Sequence, residues 1–184
     1  MIRHPALVAF QLACAAGIAA ATHLARANER AVAQAPLTFS LAVLGETETP
    51  EGAWEGVDLL RFPDGRAERF QLTVRTSRAA RVTLDALEEG GPRRVFPALG
   101  ADPVFAKGRS YALPGPTQFY ELDGAARLRL TVTPVDATAK PALADPAGAT
   151  QQVRYPLSDG AKFEVTQGLF RAAGAGVLEL HLGP

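Results

Sequence analysis

The chain has 184 residues, 47% of them hydrophobic and 21% charged, with Lys+Arg and Asp+Glu equal at 19 each. This is the mix of one ordinary globular domain, and it excludes a disordered chain or a multi-span membrane protein. Without an excess of positive charge the protein has no broad field to hold a polyanion, so nucleic acid is not an expected partner.

The chain opens with a short polar head, Arg3 and His4. An apolar run over residues 5–21 follows, interrupted by Gln11, and Ala25 and Ala27 stand at the −3 and −1 places of a cut before Asn28. Head, apolar core and small-residue exit are the parts of a secretory signal peptide, so residues 1–27 read as a leader and the protein as periplasmic or extracellular. The alternative is a membrane anchor formed by residues 5–21. That run is Ala-rich and shorter than the roughly 20 apolar residues a span requires, which favours release. A single Arg3 does not make a twin-arginine signal, and Gln11 upstream of Cys14 does not suit a lipoprotein site. Arg outnumbers Lys 16 to 3 and Ala is abundant, a bias typical of GC-rich bacterial genomes. Residues 28–36 are Ala-rich and polar and read as a flexible lead-in.

From residue 37 the period becomes two. Leu37, Phe39, Leu41 and Val43 alternate with smaller or polar neighbours, which predicts a strand with one buried face. Residues 45–52 are acidic and polar and predict a loop. Residues 54–62 predict a second strand, ended by Pro63-Asp64-Gly65, a strong hairpin signal. Phe70, Leu72 and Val74 mark the third strand and Val82 and Leu84 the fourth. Glu89-Gly90-Gly91-Pro92 is turn chemistry. Further short strands are expected at 94–97, 110–113 and 119–122, with an irregular loop at 99–108 and a rigid corner at Pro114-Gly115-Pro116.

Leu128, Leu130 and Val132 give the clearest alternation in the chain. Residues 136–150 are rich in Pro and Ala and predict a tolerant insertion. Strands at 153–157, 162–170 and 177–182 close the chain, with a small-residue turn at 172–176. Many short strands with turn signals roughly every ten residues predict an all-β fold over 37–184. The expected architecture is a β-sandwich, immunoglobulin-like or related, preceded by a helical signal segment.

Residues 58–135 carry a recognisable order of turns and strands. An apolar strand precedes Pro63-Asp64-Gly65, and strands at Phe70–Val74 and Val82–Leu87 follow. A Gly pair leads into Val95-Phe96-Pro97. Next come Pro103, Lys107-Gly108 before Tyr111, Leu113-Pro114, and Gly124 before Leu128–Val132. This resembles the bacterial domain-of-unknown-function family numbered 4384, in which an Asn follows the Phe-Pro; here Ala98 stands there. The resemblance implies an extracytoplasmic or envelope-linked β domain and brings no catalytic residues with it.

Removing the leader removes Cys14, His4 and His23, so the mature chain has no cysteine and one histidine, His181. A Ser–His–acid arrangement needs three groups in one place, and His181 lies between Leu180 and Leu182 with its side chain on the polar side of a strand. No Gly-x-Ser-x-Gly is present. Zinc requires several Cys or His ligands. Glu46, Glu48, Glu51 and Glu55 form an acidic run, but without the Asp-x-Asp-x-Asp-Gly pattern they read as a solvated loop. No catalytic, cofactor-binding or metal-binding residue, and no cofactor, is therefore expected.

Trp54, Tyr111, Phe119, Tyr120 and Tyr155 could stack sugars, although a sandwich core buries most rings. Arg78, Arg81, Arg93 and Arg94 read as a charged strand edge. The expectation is an exported, non-enzymatic module that acts through contacts with another envelope protein; the alternative is an exported glycan- or small-ligand-binding domain. Loops on a rigid sandwich are where binding is expected, and the 99–108 loop offers Pro103, Phe105 and Lys107 as candidate partner-binding residues. Phe105 either plugs the end of the sandwich or waits for a partner.

Overall fold

The computed structural model describes residues 36–98, 103–137, 140–148 and 151–183. Residues 1–35, which hold the expected leader and most of the expected lead-in, and residues 99–102 of the candidate binding loop lie outside the described residues. The strands are β1 (Leu37–Glu48), β2 (Trp54–Asp58), β3 (Arg69–Thr76), β4 (Ala80–Glu88), β5 (Gly91–Phe96), β6 (Val104–Phe105) and β7 (Ser110–Leu113). They continue as β8 (Tyr120–Glu121), β9 (Ala126–Pro134), β10 (Ala142–Leu143), β11 (Asp145–Pro146), β12 (Gln151–Pro156), β13 (Lys162–Ala172) and β14 (Gly176–Leu182). The fold is all-β, and no helix occurs among the described residues.

Two sheets pack face to face. The first runs β11-β13-β1-β3-β7, with β12 on β13, β2 on β1 and β8 on β3; the second runs β10-β14-β9-β4-β5, with β6 on β4. All pairings are antiparallel except β10 with β14. Alternation dictates the core. Leu37, Phe39, Leu41 and Val43 of β1 meet Leu72 and Val74 of β3, and all face Val82, Leu84, Leu128, Leu130 and Val132 of the second sheet. Each of these residues is at most 3% exposed. Burying a side chain of this size contributes roughly 1.5–3 kcal/mol.

The other face of the first sheet is not uniformly wet. Ala42 and Leu44 point away from the main core, yet they are buried beneath Leu157 and Val165, with Phe119, Tyr155 and Phe163 around them. The cover is made by β12 and the first half of β13. Pairing of β13 with β1 ends at Leu41↔Gly168, and β2 takes over the edge of β1 from Leu44↔Asp58. Residues 162–167 therefore leave the sheet and lie over it as a hairpin with β12. Gly56 of β2 lets this hairpin sit down: a Cβ there would come within 2.4 Å of the Phe163 ring.

Two carboxylates fasten the hairpin. Asp58, 6% exposed, accepts the Thr166 N–H at 2.7 Å and the Arg61 N–H at 3.3 Å. The Thr166 amide thus gains a partner where β13 has parted from β1, as a buried donor must. Glu46, fully buried, accepts the Ser158 N–H at 2.9 Å on Oε1, and the Ser158 hydroxyl at 2.7 Å and Arg69 Nε at 2.9 Å on Oε2. The Arg69 guanidinium lies 3.2 Å from the Trp54 ring centroid and 4.8 Å from that of Phe119.

Several expected boundaries move. Residues 45–48 belong to β1, and Glu46 is an interior clip where a solvated acidic loop was expected. A carboxylate is buried only when its oxygens are paired, and its partner Ser158 lies 112 residues away. The second strand stops at Asp58, because Phe62 N–H turns back to the Asp58 carbonyl at 2.8 Å. The stretch 136–150 is more than an insertion: β10 pairs with β14 in one sheet and β11 with β13 in the other, so it bridges the flank of the sandwich.

Candidate functional site

The candidate binding loop divides on inspection. Phe105 is 2% exposed, in β6, where it pairs opposite Ala80 of β4. Its ring stacks on Tyr111 at a centroid distance of 4.0 Å and meets Phe96 edge-on at 5.8 Å. Phe105 therefore plugs the sandwich and leaves the set of partner-facing residues. Pro103 is half-buried, and its carbonyl accepts the Val82 N–H at 2.8 Å, which fixes the start of β6. Lys107 alone of the three is fully on the surface.

Lys107 sits at the tip of a short turn. The Arg109 N–H closes the turn onto the Ala106 carbonyl at 3.3 Å, and the Gly108 N–H donates to the Thr76 carbonyl at 2.7 Å. Gly108 has φ +71°, a left-handed conformation that glycine adopts without strain. The turn is also tied through the Tyr111 hydroxyl, which accepts the Ala106 N–H at 3.0 Å.

This turn forms one wall of a groove of about 440 Å³ on the outer face of the first sheet. Ser40 and Leu169, register partners on β1 and β13, form the floor. Arg75, Lys107 and Gly108 stand on one side and Gln151 and Gln167 on the other, with Thr38 and Ser77 at the end. Ser77 locks that end: its hydroxyl accepts the Thr38 N–H at 3.0 Å, and its own N–H reaches the Thr38 carbonyl at 2.9 Å. The groove begins where the β12–β13 hairpin stops covering the sheet. Among the described residues, two cations line it and no carboxylate does.

Elsewhere the expected features are consumed by packing. Trp54 stacks on Arg69, Tyr111 on Phe105, and Tyr120 lies 5.3 Å from Phe70. Phe119 and Tyr155 belong to the small outer core, where Tyr155 also bonds to the Thr73 hydroxyl. None of the five rings is offered as an open platform. Burial pushes the Tyr120 phenol up to about 12, and its hydroxyl has no partner. In the basic cluster, Arg93 pairs with Glu88 at 2.6 Å, Arg94 with Asp85, and Arg78 with Asp136.

His181 is exposed on β14 opposite Arg127. No cluster of three or more His, Cys, Asp or Glu is gathered among the described residues.

A larger cleft of about 600 Å³ opens at the flank between β13 and β14, lined by Leu60, Phe170, Leu178 and Leu180, with Arg61 and Glu179 at its rim. Its charges are of opposite sign, and the Arg129 guanidinium beside Glu179 holds that carboxyl below its usual range. The cleft therefore has no single electrostatic preference, whereas the groove beside Lys107 has one. Compared with known proteins, the chain matches no family model, no curated protein and no solved structure.

Proposed function

We propose that this chain is an exported, non-enzymatic β-sandwich module of a bacterial envelope. It acts through contacts with another envelope protein, and the groove beside Lys107 is where it makes them. The observation that carries this reading is the unequal cover of one sheet. The chain folds its own hairpin over half of the outer face and leaves the other half open, polar and cationic. A rigid sandwich that presents a shaped surface between anchored turns suits recognition. The leader pattern over residues 1–27 and the likeness of residues 58–135 to an envelope-linked β domain support the location.

The test uses Ser40→Trp, which fills the groove floor without changing charge. The wild-type chain should be processed to start at Asn28 and should capture a partner from envelope extract. Ser40→Trp should fold with an unchanged melting temperature and lose that capture. Capture that survives Ser40→Trp would move the contact away from the groove.

A further inference from the structure

We propose that the occupant of the groove is an extended acidic segment of a partner protein, its carboxylates held by Arg75 and Lys107. This rests on the groove being the contact surface and adds the chemistry of what binds there. Three observations lead to it.

The first is charge. Arg75 and Lys107 are exposed and stand on one side of the groove; among the described residues they make no ion pair and no carboxylate lines the groove. Elsewhere on the surface, Arg93, Arg129 and Arg154 are matched with Glu88, Glu179 and Glu164, while Arg66, Arg81 and Arg109 are exposed without an ion pair among the described residues. What distinguishes Arg75 and Lys107 is that both stand beside one groove. Complementary charge of this kind selects a partner more than it adds raw affinity.

The second is shape. Ser40, Thr38, Gln151 and Gln167 supply hydroxyls and amides that both donate and accept, which suits the alternating N–H and C=O of an extended backbone. Arg75 is also the register partner of Ser110 in β7. β7 ends the first sheet, and its outer edge is unpaired among the described residues. A segment that runs across the strands from Arg75 reaches this edge one strand further on.

The third observation separates a peptide from an acidic glycan. Sugar rings are commonly held against aromatic faces, and among the described residues the one ring lining this groove, Phe39, is 1% exposed. The five rings that could have served are packed elsewhere. The groove thus offers charge and hydrogen bonds without a stacking surface.

The experiment uses the full chain as exported. The probes are a fluorescein-labelled hexapeptide of alternating Glu and Thr, the same peptide with Lys for Glu, and labelled hexagalacturonate. The acidic peptide should bind, and binding should weaken as ionic strength rises, since exposed charges are screened. Arg75→Gln with Lys107→Gln should weaken it by about tenfold or more, the scale of losing charge-assisted bonds. Arg93→Gln, outside the groove, should leave it unchanged.

The inference falls if the Lys peptide binds as well as the Glu peptide, or if the double variant binds normally. Tighter binding of hexagalacturonate than of the peptide would replace the peptide with an acidic glycan. A partner captured by the wild type, lost with Ser40→Trp but kept by the double variant, would preserve the groove and overturn its acidic occupant. Peptide binding that survives Ser40→Trp would instead overturn the groove.

Discussion

The two halves of the outer face of the first sheet share β1 and β3, with β13 flanking β1 in one and β2 in the other, and have opposite fates. At one end, Ala42 and Leu44 point outward and are roofed by Val165, Leu157, Tyr155 and Phe163. At the other, Thr38, Ser40, Arg75 and Gln167 point outward and face the groove. The change is one of side-chain chemistry along single strands. Along β1 the outward groups change from the hydroxyls of Thr38 and Ser40 to the small and apolar Ala42 and Leu44 where the hairpin lands; on β3 the outward Gln71 and Thr73 are buried, with Gln71 donating to the Gly115 and Gln118 carbonyls at 2.7 and 2.9 Å, and Arg75 is exposed. An antiparallel sheet can keep one face in water, so the covered half is the one that needs a cause. The clips at Glu46 and Asp58 supply it.

The comparison breaks most severely at Glu46. Glu46→Ala leaves the Ser158 amide and hydroxyl without their acceptor and the partly buried Arg69 without its carboxylate. Removing one partner of a buried pair costs on the order of 3–5 kcal/mol. We expect the lower end, because Arg69 keeps its stacking on Trp54 and is 20% exposed. Chemical denaturation checks this against Ser40→Ala in the open half, where a change of less than about 0.5 kcal/mol is expected. Equal losses at the two sites would erase the distinction between the halves.

Gly56→Ala comes next. The new methyl would press on the Phe163 ring, and overpacking of this kind costs about 1–3 kcal/mol. The cost should fall on the hairpin, so hydrogen exchange should quicken over residues 151–167 and stay unchanged in β9. Uniform acceleration would show that the hairpin and sandwich unfold as one unit.

Beneath the open half, Thr76 is fully buried on the core side of β3 and its hydroxyl has no partner among the described residues. Thr76→Val keeps the shape and removes the orphaned group, so stability should rise by about 1 kcal/mol. A loss of stability would mean that the hydroxyl makes a bond that the packing does not reveal.

The smallest effect is alkaline. Burial raises the Tyr155 phenol in the covered half and pushes Tyr120 in the main core up to about 12. A folded-state pKa above the unfolded value of about 10 means stability is intact below pH 10 and is lost as pH rises toward 12. Tyr155→Phe should flatten this decline in part, and Tyr155→Phe with Tyr120→Phe should flatten it further. A decline unchanged in both variants would place the titrating groups elsewhere.

The inner face of the sandwich was legible in the sequence, because the period of two over Leu37–Val43 and Leu128–Val132 reports burial on one side directly. Pro63-Asp64-Gly65 does make a local turn, with the Gly65 N–H donating to the Phe62 carbonyl at 2.9 Å, but the expected hairpin is absent: β2 and β3 pair with opposite edges of β1 and not with each other, a choice set by β1 and not by the turn. The outer layer was not legible. Glu46 sits in an acidic run whose composition signals solvent, and only its distant partners Ser158 and Arg69 explain its burial. The fork at Gly168 was hidden as well, because a strand that leaves one sheet to cover it keeps the same alternation throughout. Lys107 was found as a loop residue, but Arg75 was passed over: its place beside Lys107 is set by the sheet and leaves no mark in the local pattern. Phe105 looked like an exposed ring in turn-like sequence because its partners, Tyr111 and Phe96, come from other strands.

The most direct test of the account is hydrogen exchange on the full chain with and without a saturating excess of the alternating Glu-Thr hexapeptide. The account predicts slowed exchange confined to the open half: residues 38–40, 75–77, 107–113 and 167–169, with the hairpin around 153–166 unchanged. Slowing confined to the hairpin or to the flank at 178–180, or no slowing anywhere, would contradict the claim that the uncovered half of the sheet is the recognition surface.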